Sequence, residues 1–265
     1  MPYRIRVAVL YLLGFFVDLI NMFSTGVAFP AIGRALHASL AELAWVSNGY
    51  ILGLTVVLPL SAWLMQRVDA RRIMLLSLAL FLLATLAAGT AARIETLIGW
   101  RIVQGLGGGF LFALSYAMVH LMFPPALWTR AMALISAMWG IATLVGPAIG
   151  GIFANWHAWR WAFGLMLPLT LLFILGAQWV LPRGNAHRQP PEPLAWRQLA
   201  LLVLSVLVVA VTGLSSDGRV HLAGVALVAV MLWVLSRIEA RSAVRLLPVG
   251  ALQLSSPLGG LYLAV

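Results

Sequence analysis

Apolar residues in this chain run in long blocks rather than in alternation. Eight blocks stand out, near 7–29, 44–65, 73–92, 97–122, 130–153, 161–181, 198–214 and 220–236. About 20 apolar residues in a helix cover the hydrocarbon core of a bilayer, and each block approaches or exceeds that length. The breaks fall at Pro30, Arg67 to Arg72, Arg93 to Glu95, Pro124-Pro125, Trp156 to Arg160, Pro182 to Arg197 and Ser215 to Arg219. This pattern predicts an all-α polytopic membrane protein with eight spans. Beyond Arg245 a short amphipathic stretch leads into an apolar segment, 257–265, which as a helix would cover only ~13.5 Å. It reads as the start of a ninth span, and the chain as the N-terminal portion of a longer protein.

Composition sharpens the picture. Of 265 residues, 63% are hydrophobic and 9% are charged, against roughly 25% charged in soluble domains. Too little polar surface exists to cover a water-soluble sphere, and the hydrophobicity excludes disorder. The 17 cationic residues are all Arg and outnumber 7 acids, giving a net charge of +10. Nucleic acid would call for a basic stripe, whereas these charges stand singly between apolar runs; no nucleic-acid partner is expected. The chain has no cysteine, so no disulfide or thiolate metal site exists. The five histidines show no ligand spacing, and no nucleophile–base set or HExxH occurs. No enzyme, cofactor or metal is expected.

Arginine also orients the chain. With the N-terminus in the cytoplasm, 12 arginines fall on the inner side (Arg4, Arg6, Arg67, Arg71, Arg72, Arg130, Arg183, Arg188, Arg197, Arg237, Arg241, Arg245) and 4 on the outer (Arg34, Arg93, Arg160, Arg219). The seventeenth, Arg101, lies within a span. That asymmetry follows the positive-inside rule. The polar, Pro-rich stretch after the sixth span predicts a division into a six-helix bundle over 1–182, a cytoplasmic linker over 183–197, two further helices over 198–236, and a cytoplasmic segment with the start of the ninth helix over 237–265.

Two charges inside spans are the candidate chemistry. Asp18 sits midway along the first block, where a carboxylate is costly unless it faces a bundle interior or a water-filled cavity. It suits proton exchange or attraction of a cationic substrate; the structural alternative is a bond to Asn21 or to a neighbouring helix. Arg101 opens the stretch RIVQGLGGG and stays charged at any accessible pH. It needs carbonyls, Gln104 or an acid such as Asp18 as partners, or else reaches back to the outer interface. Gly105, Gly107, Gly108 and Gly109 follow, and glycines in a span admit another backbone; no strand or GK[ST] makes this a phosphate loop. The fifth block carries Gly140 to Gly151: Gly146, Gly150 and Gly151 make a small-residue face and Pro147 is expected to bend the helix, either as a closely packed element suited to two discrete packings or as an ordinary membrane-helix kink. Gln66, Arg67, Asp69 and Arg71 line the loop between the second and third spans, either as ordinary cytoplasmic charge or as a gate latch. The segment from Trp156 to Phe163 suits an aromatic belt.

These motifs resemble the major facilitator superfamily, specifically its 14-helix drug:proton antiporter branch. Arg101 to Gly109 (RIVQGLGGG) is similar to the family's fourth-helix motif. Gly140 to Gly151 (GIATLVGPAIGG) is similar to its fifth-helix antiporter motif. Trp45 to Tyr50 (WVSNGY) and Trp156 to Phe163 (WHAWRWAF) resemble the entries to helices two and six. The resemblance implies proton coupling at Arg101, and helix packing and transport direction at Gly146, Pro147, Gly150 and Gly151. It also implies that the seventh and eighth spans are the pair inserted between two six-helix halves. The chain departs from the family at two places. Gln66 stands where the loop motif has an acid and Asp69 where it has its second Gly. Asn21 stands where the first-helix pattern has Asp, with Asp18 one turn earlier, a shift that keeps the same face.

The expected function is proton-coupled efflux of drugs or other small amphipathic or cationic molecules, driven by the proton gradient. The partners are then the lipid bilayer, protons, the small-molecule substrate and the missing C-terminal half of the same protein, in a bacterial inner membrane. The alternative is a non-transporting scaffold or sensor built from the six-helix unit.

Overall fold

In the computed structural model the described residues are 3–181, 193, 195–213, 215 and 217–242. Every regular element among them is an α-helix, and the chain divides into two compact units, Met1–Gln189 and Pro190–Val265. Most of the expected linker and all of the expected ninth helix lie outside the described residues.

The first unit holds α1 (Tyr3–Val27), α2 (Phe29–Leu36), α3 (Leu40–Met65), α4 (Ala70–Gly89), α5 (Ile94–Met122), α6 (Pro125–Asn155), α7 (Arg160–Gly164) and α8 (Met166–Val180). The second holds α9 (Trp196–Thr212) and α10 (Gly218–Arg241), which pack on each other. Seven helical segments among the described residues are long and apolar enough to cross a membrane, the sixth of them formed by α7 and α8 together. The chain is a multi-pass integral membrane protein.

Three expectations need correction. The block 7–29 stops at Val27, and Pro30 then opens the separate short helix α2. Proline is favoured in a first helical turn because its missing N–H costs nothing there. The block 161–181 is divided at Leu165 into α7 and α8, an interruption invisible in a run of uniform apolarity. The block 198–214 forms α9, whose 17 residues cover ~25 Å, so it falls short of the other spans.

The second span begins at Leu40 rather than 44 because Ser39 caps it. The Glu42 carboxylate accepts from the Ser39 backbone N–H at 2.7 Å, and the Glu42 N–H donates back to Ser39 Oγ at 3.3 Å. This reciprocal box satisfies two donors that a bare helix end would leave open. Ser39→Ala is expected to destabilise the fold by about 1 kcal/mol, read as a small drop in the detergent melting temperature; an unchanged melt would remove the box from the list of stabilising contacts.

Packing inside the first unit is organised along α1. Near one end Val7 and Tyr11 join Met74, Leu78, Leu114 and Ala177. Near the other, Ala28 and Ile32 join Val46, Ala88, Leu97 and Phe163. A third cluster joins Phe15 and Leu19 to Ile135, Ala142 and Met166. Between the two end clusters α1 carries Asp18, Asn21, Ser24 and Thr25, all buried. Lipid is as apolar as leucine, so helices here are held by close packing and by hydrogen bonds rather than by a hydrophobic drive. That is why the polar layer and the glycines, rather than the leucines, position the site.

Candidate functional site

Four helices supply the polar layer: Asp18 and Asn21 from α1, Tyr50 from α3, Thr85 from α4, Arg101 and Gln104 from α5. Each is at most 2% exposed. Asp18 and Asn21 are one turn apart, as are Arg101 and Gln104, so each pair shares a helix face.

The contacts form a connected chain. The Tyr50 hydroxyl donates to Asp18 Oδ1. The Tyr50 ring lies under the Arg101 guanidinium, 4.2 Å from its central carbon to the ring centroid, within cation–π range. Arg101 Nε donates to the Val46 carbonyl at 3.1 Å and Nη1 to Gln104 Oε1 at 2.5 Å. Gln104 Nε2 donates onward to Thr85 Oγ1 at 2.7 Å and to Asn21 Oδ1 at 3.3 Å. The Thr85 hydroxyl spends its own proton on the Phe81 carbonyl. Asp18 and Arg101 make no direct ion pair among the described residues; Tyr50 touches both, one through its oxygen and the other through its ring. Arg101 Nη2 and Asn21 Nδ2 are buried and lack a hydrogen-bond partner.

Arg101 is fully buried, so it does not reach back to the interface. Asp18 bonds a neighbouring helix through Tyr50 rather than Asn21. Tyr50 and Thr85 were not singled out as site residues by sequence reasoning. Tyr50 entered only as the end of the WVSNGY motif. An aromatic ring or a threonine in an apolar span carries no signal of its own, whereas a charge does.

The glycines after Gln104 face three neighbouring helices between them. A Cβ on Gly105 would meet the Tyr50 carbonyl of α3, and one on Gly109 would lie 2.9 Å from the Leu54 carbonyl. On Gly107 it would lie 2.9 Å from the Phe81 nitrogen of α4, and on Gly108 it would meet the Asp18 carboxylate and the Tyr50 hydroxyl. From the opposite side, a Cβ on Gly53 of α3 would meet the Ile102 carbonyl. The motif thus lets α5 approach α1, α3 and α4 at the level of the buried charges.

Within the small-residue face of α6, Gly146 and Gly150 pack on α1. A Cβ on Gly146 would press on Phe23, and one on Gly150 on the Ser24 backbone. Gly151 is in ordinary contact distance of Val27, while Gly140 faces open space. Pro147 lies inside one continuous helix. The loop residues stand apart from this centre. Gln66 ends α3 and Asp69 precedes α4 without a side-chain cap bond. Arg67 stacks on Trp63 at 3.9 Å. Arg71 Nη2 donates to the Gln178 carbonyl of α8 at 3.2 Å. In the aromatic segment, Trp156 and Trp161 are exposed as belt residues would be, while Trp159 is in the core. No group of three metal-ligating side chains occurs among the described residues.

The chain is similar to known proteins. The chain is 42% identical over 174 residues to a probable multidrug-efflux transporter of Mycobacterium tuberculosis, covering 62% of this chain and 37% of that protein. It is 31% identical over 191 residues to the probable multidrug resistance protein EmrY of Escherichia coli, covering 72% of this chain and 37% of that one. The chain therefore spans well under half the length of these relatives. Among solved structures, the peptide transporter POT in complex with sulfate superposes with a TM-score of 0.63 at 15% identity, over 88% of this chain and 52% of that one, a likeness of fold. The sequence pattern of the Major Facilitator Superfamily matches residues 11–264, and the chain belongs to that family.

Proposed function

We propose that this chain carries the proton-handling bundle of an efflux transporter that exports drugs or other small amphipathic or cationic molecules by alternating access. The observation that carries the reading is the buried Asp18–Tyr50–Arg101 assembly. An acid and a permanent cation are held in the interior of an otherwise apolar bundle, where such groups mark ion and substrate pathways. The likeness to proteins named for multidrug efflux supports this substrate class.

The chemistry follows from Tyr50. When Asp18 is ionised, its oxygen accepts from the Tyr50 hydroxyl, and the ring of the same tyrosine meets Arg101. When Asp18 takes a proton, it no longer needs that donor, and its attraction to Arg101 is lost. Each protonation state therefore favours a different packing of α1 against α3 and α5. Such a differential interaction is what a two-state transporter requires. The second half of the transporter completes the substrate cavity, in a bacterial inner membrane with the N-terminus and the Arg-rich loops in the cytoplasm.

Asp18→Asn in the full-length protein keeps the side-chain shape and an acceptor for Tyr50 but removes the titration. Cells with the wild type are expected to accumulate less of a cationic dye, and a protonophore to erase the difference. The variant is expected to accumulate dye like cells without the protein, at equal membrane abundance. Wild-type export by Asp18→Asn would remove Asp18 from the coupling assignment.

A further inference from the structure

The second unit carries a basic cavity that has no part in the assembly above. It has a volume of about 510 Å³, and Arg197, Trp233, Arg237, Ile238 and Arg241 are among its lining residues. Helix α9 starts at Trp196 and α10 ends at Arg241, so Arg197 and the two α10 arginines meet at the same end of the helix pair. Trp233, Arg237 and Arg241 repeat every four residues and form one stripe. The Arg237 guanidinium carbon sits 4.9 Å from the centroid of the Trp233 ring. Among the described residues none of the three guanidiniums has a hydrogen bond or an ion pair. Glu239, the acid nearest in sequence to Arg237 and Arg241, is two residues from each, which places it on the opposite face of α10.

We infer that this cavity binds the phosphate of an anionic phospholipid. Three guanidiniums lining one cavity, with no carboxylate in its lining among the described residues, suit a phosphate, which they can grip through paired N–H groups. The position selects the lipid over a free ion. The apolar run of α10 gives way to charge at Arg237, at the level where headgroups lie. Above it Val230 is 56% exposed and Leu227 50% exposed, an outward apolar strip along which acyl chains can lie. Basic pockets between spans on the cytoplasmic side are known headgroup sites, and the arginine asymmetry puts this end there.

The test is native mass spectrometry of the full chain in detergent, titrated separately with phosphatidylglycerol, phosphatidylethanolamine and inorganic phosphate. Retention of phosphatidylglycerol in clear preference to phosphatidylethanolamine is expected, and a large excess of inorganic phosphate is expected not to displace it. Replacing one arginine with glutamine is expected to weaken retention about fivefold, and Arg197→Gln with Arg237→Gln and Arg241→Gln together about 100-fold. Equal retention of the two lipids, an unaffected triple variant, or displacement by inorganic phosphate at comparable concentration would each overturn the assignment. The lipid comparison uses only the wild type, so a variant that fails to fold leaves the test intact.

Discussion

Arg101→Ala in the full-length protein is expected to abolish export and to destabilise the bundle by about 2 kcal/mol. The substitution removes two hydrogen bonds, to Val46 and to Gln104, and the stacking on Tyr50. It leaves Gln104 Oε1 short of its donor in a buried site, while the Val46 carbonyl keeps only its helical bond. Loss of a partner is dearer than loss of the pair, because the survivor keeps its desolvation penalty. Arg101→Lys separates charge from geometry. A lysine keeps the cation, but its point charge cannot reach a carbonyl, an amide and a ring face together. It is expected to recover part of the stability and little of the export. The measurements are dye accumulation at matched membrane abundance and the detergent melting curve. Normal export by Arg101→Ala would reduce Arg101 to a packing residue.

Gly105→Ala is expected to lower the melting temperature more than any other single methyl group added to α5 outside the glycine cluster. A Cβ there meets the backbone of Tyr50, with its carbonyl carbon at 2.9 Å and the Leu54 nitrogen at 3.1 Å. A backbone has no rotamer with which to yield, so α3 and α5 must separate. Overpacking of this kind costs about 1–3 kcal/mol, against at most about 1 kcal/mol gained from the better helix propensity of alanine. The separation would also carry Tyr50 away from Asp18 and Arg101, so export should fall with stability. Gly99→Ala on the same helix is the control. A Cβ at Gly99 meets nothing within 4 Å, and only the propensity gain remains. Equal melting curves for the two variants would show that α3 and α5 do not need this close approach.

What was legible in the sequence follows from what is rare in a membrane span. Asp18 and Arg101 announced themselves because a charge in an apolar run demands a partner. The glycine run was legible as a packing element, since no other reading of it survived. The mediator was not. Tyr50 is one of five tyrosines, and nothing in its neighbours says that its hydroxyl meets an acid 32 residues earlier while its ring meets an arginine 51 residues later. Thr85 was hidden for the same reason. Glycines look alike in a sequence, yet Gly140 faces open space while Gly150 touches the α1 backbone; only the helix rotation separates them. The breaks at Ala28 and Leu165 were lost because hydropathy measures apolarity and not backbone direction. The capping box at Ser39 and Glu42 was readable by rule, but it lay outside the block boundary that hydrophobicity drew.

The orientation of Gln104 has a consequence for traffic through the site. Its oxygen faces Arg101 and its nitrogen faces Thr85 and Asn21. An amide can hold such a line of dipoles in register, but it neither takes up nor releases a proton near neutral pH. The arm that runs from Arg101 through Gln104 to Asn21 and Thr85 is therefore an insulator. Asp18 borders it only across Tyr50. On the proposed coupling, a proton reaching or leaving Asp18 takes a path other than this arm. The network that fixes the arginine in place also keeps the arginine side of the bundle from short-circuiting the acid.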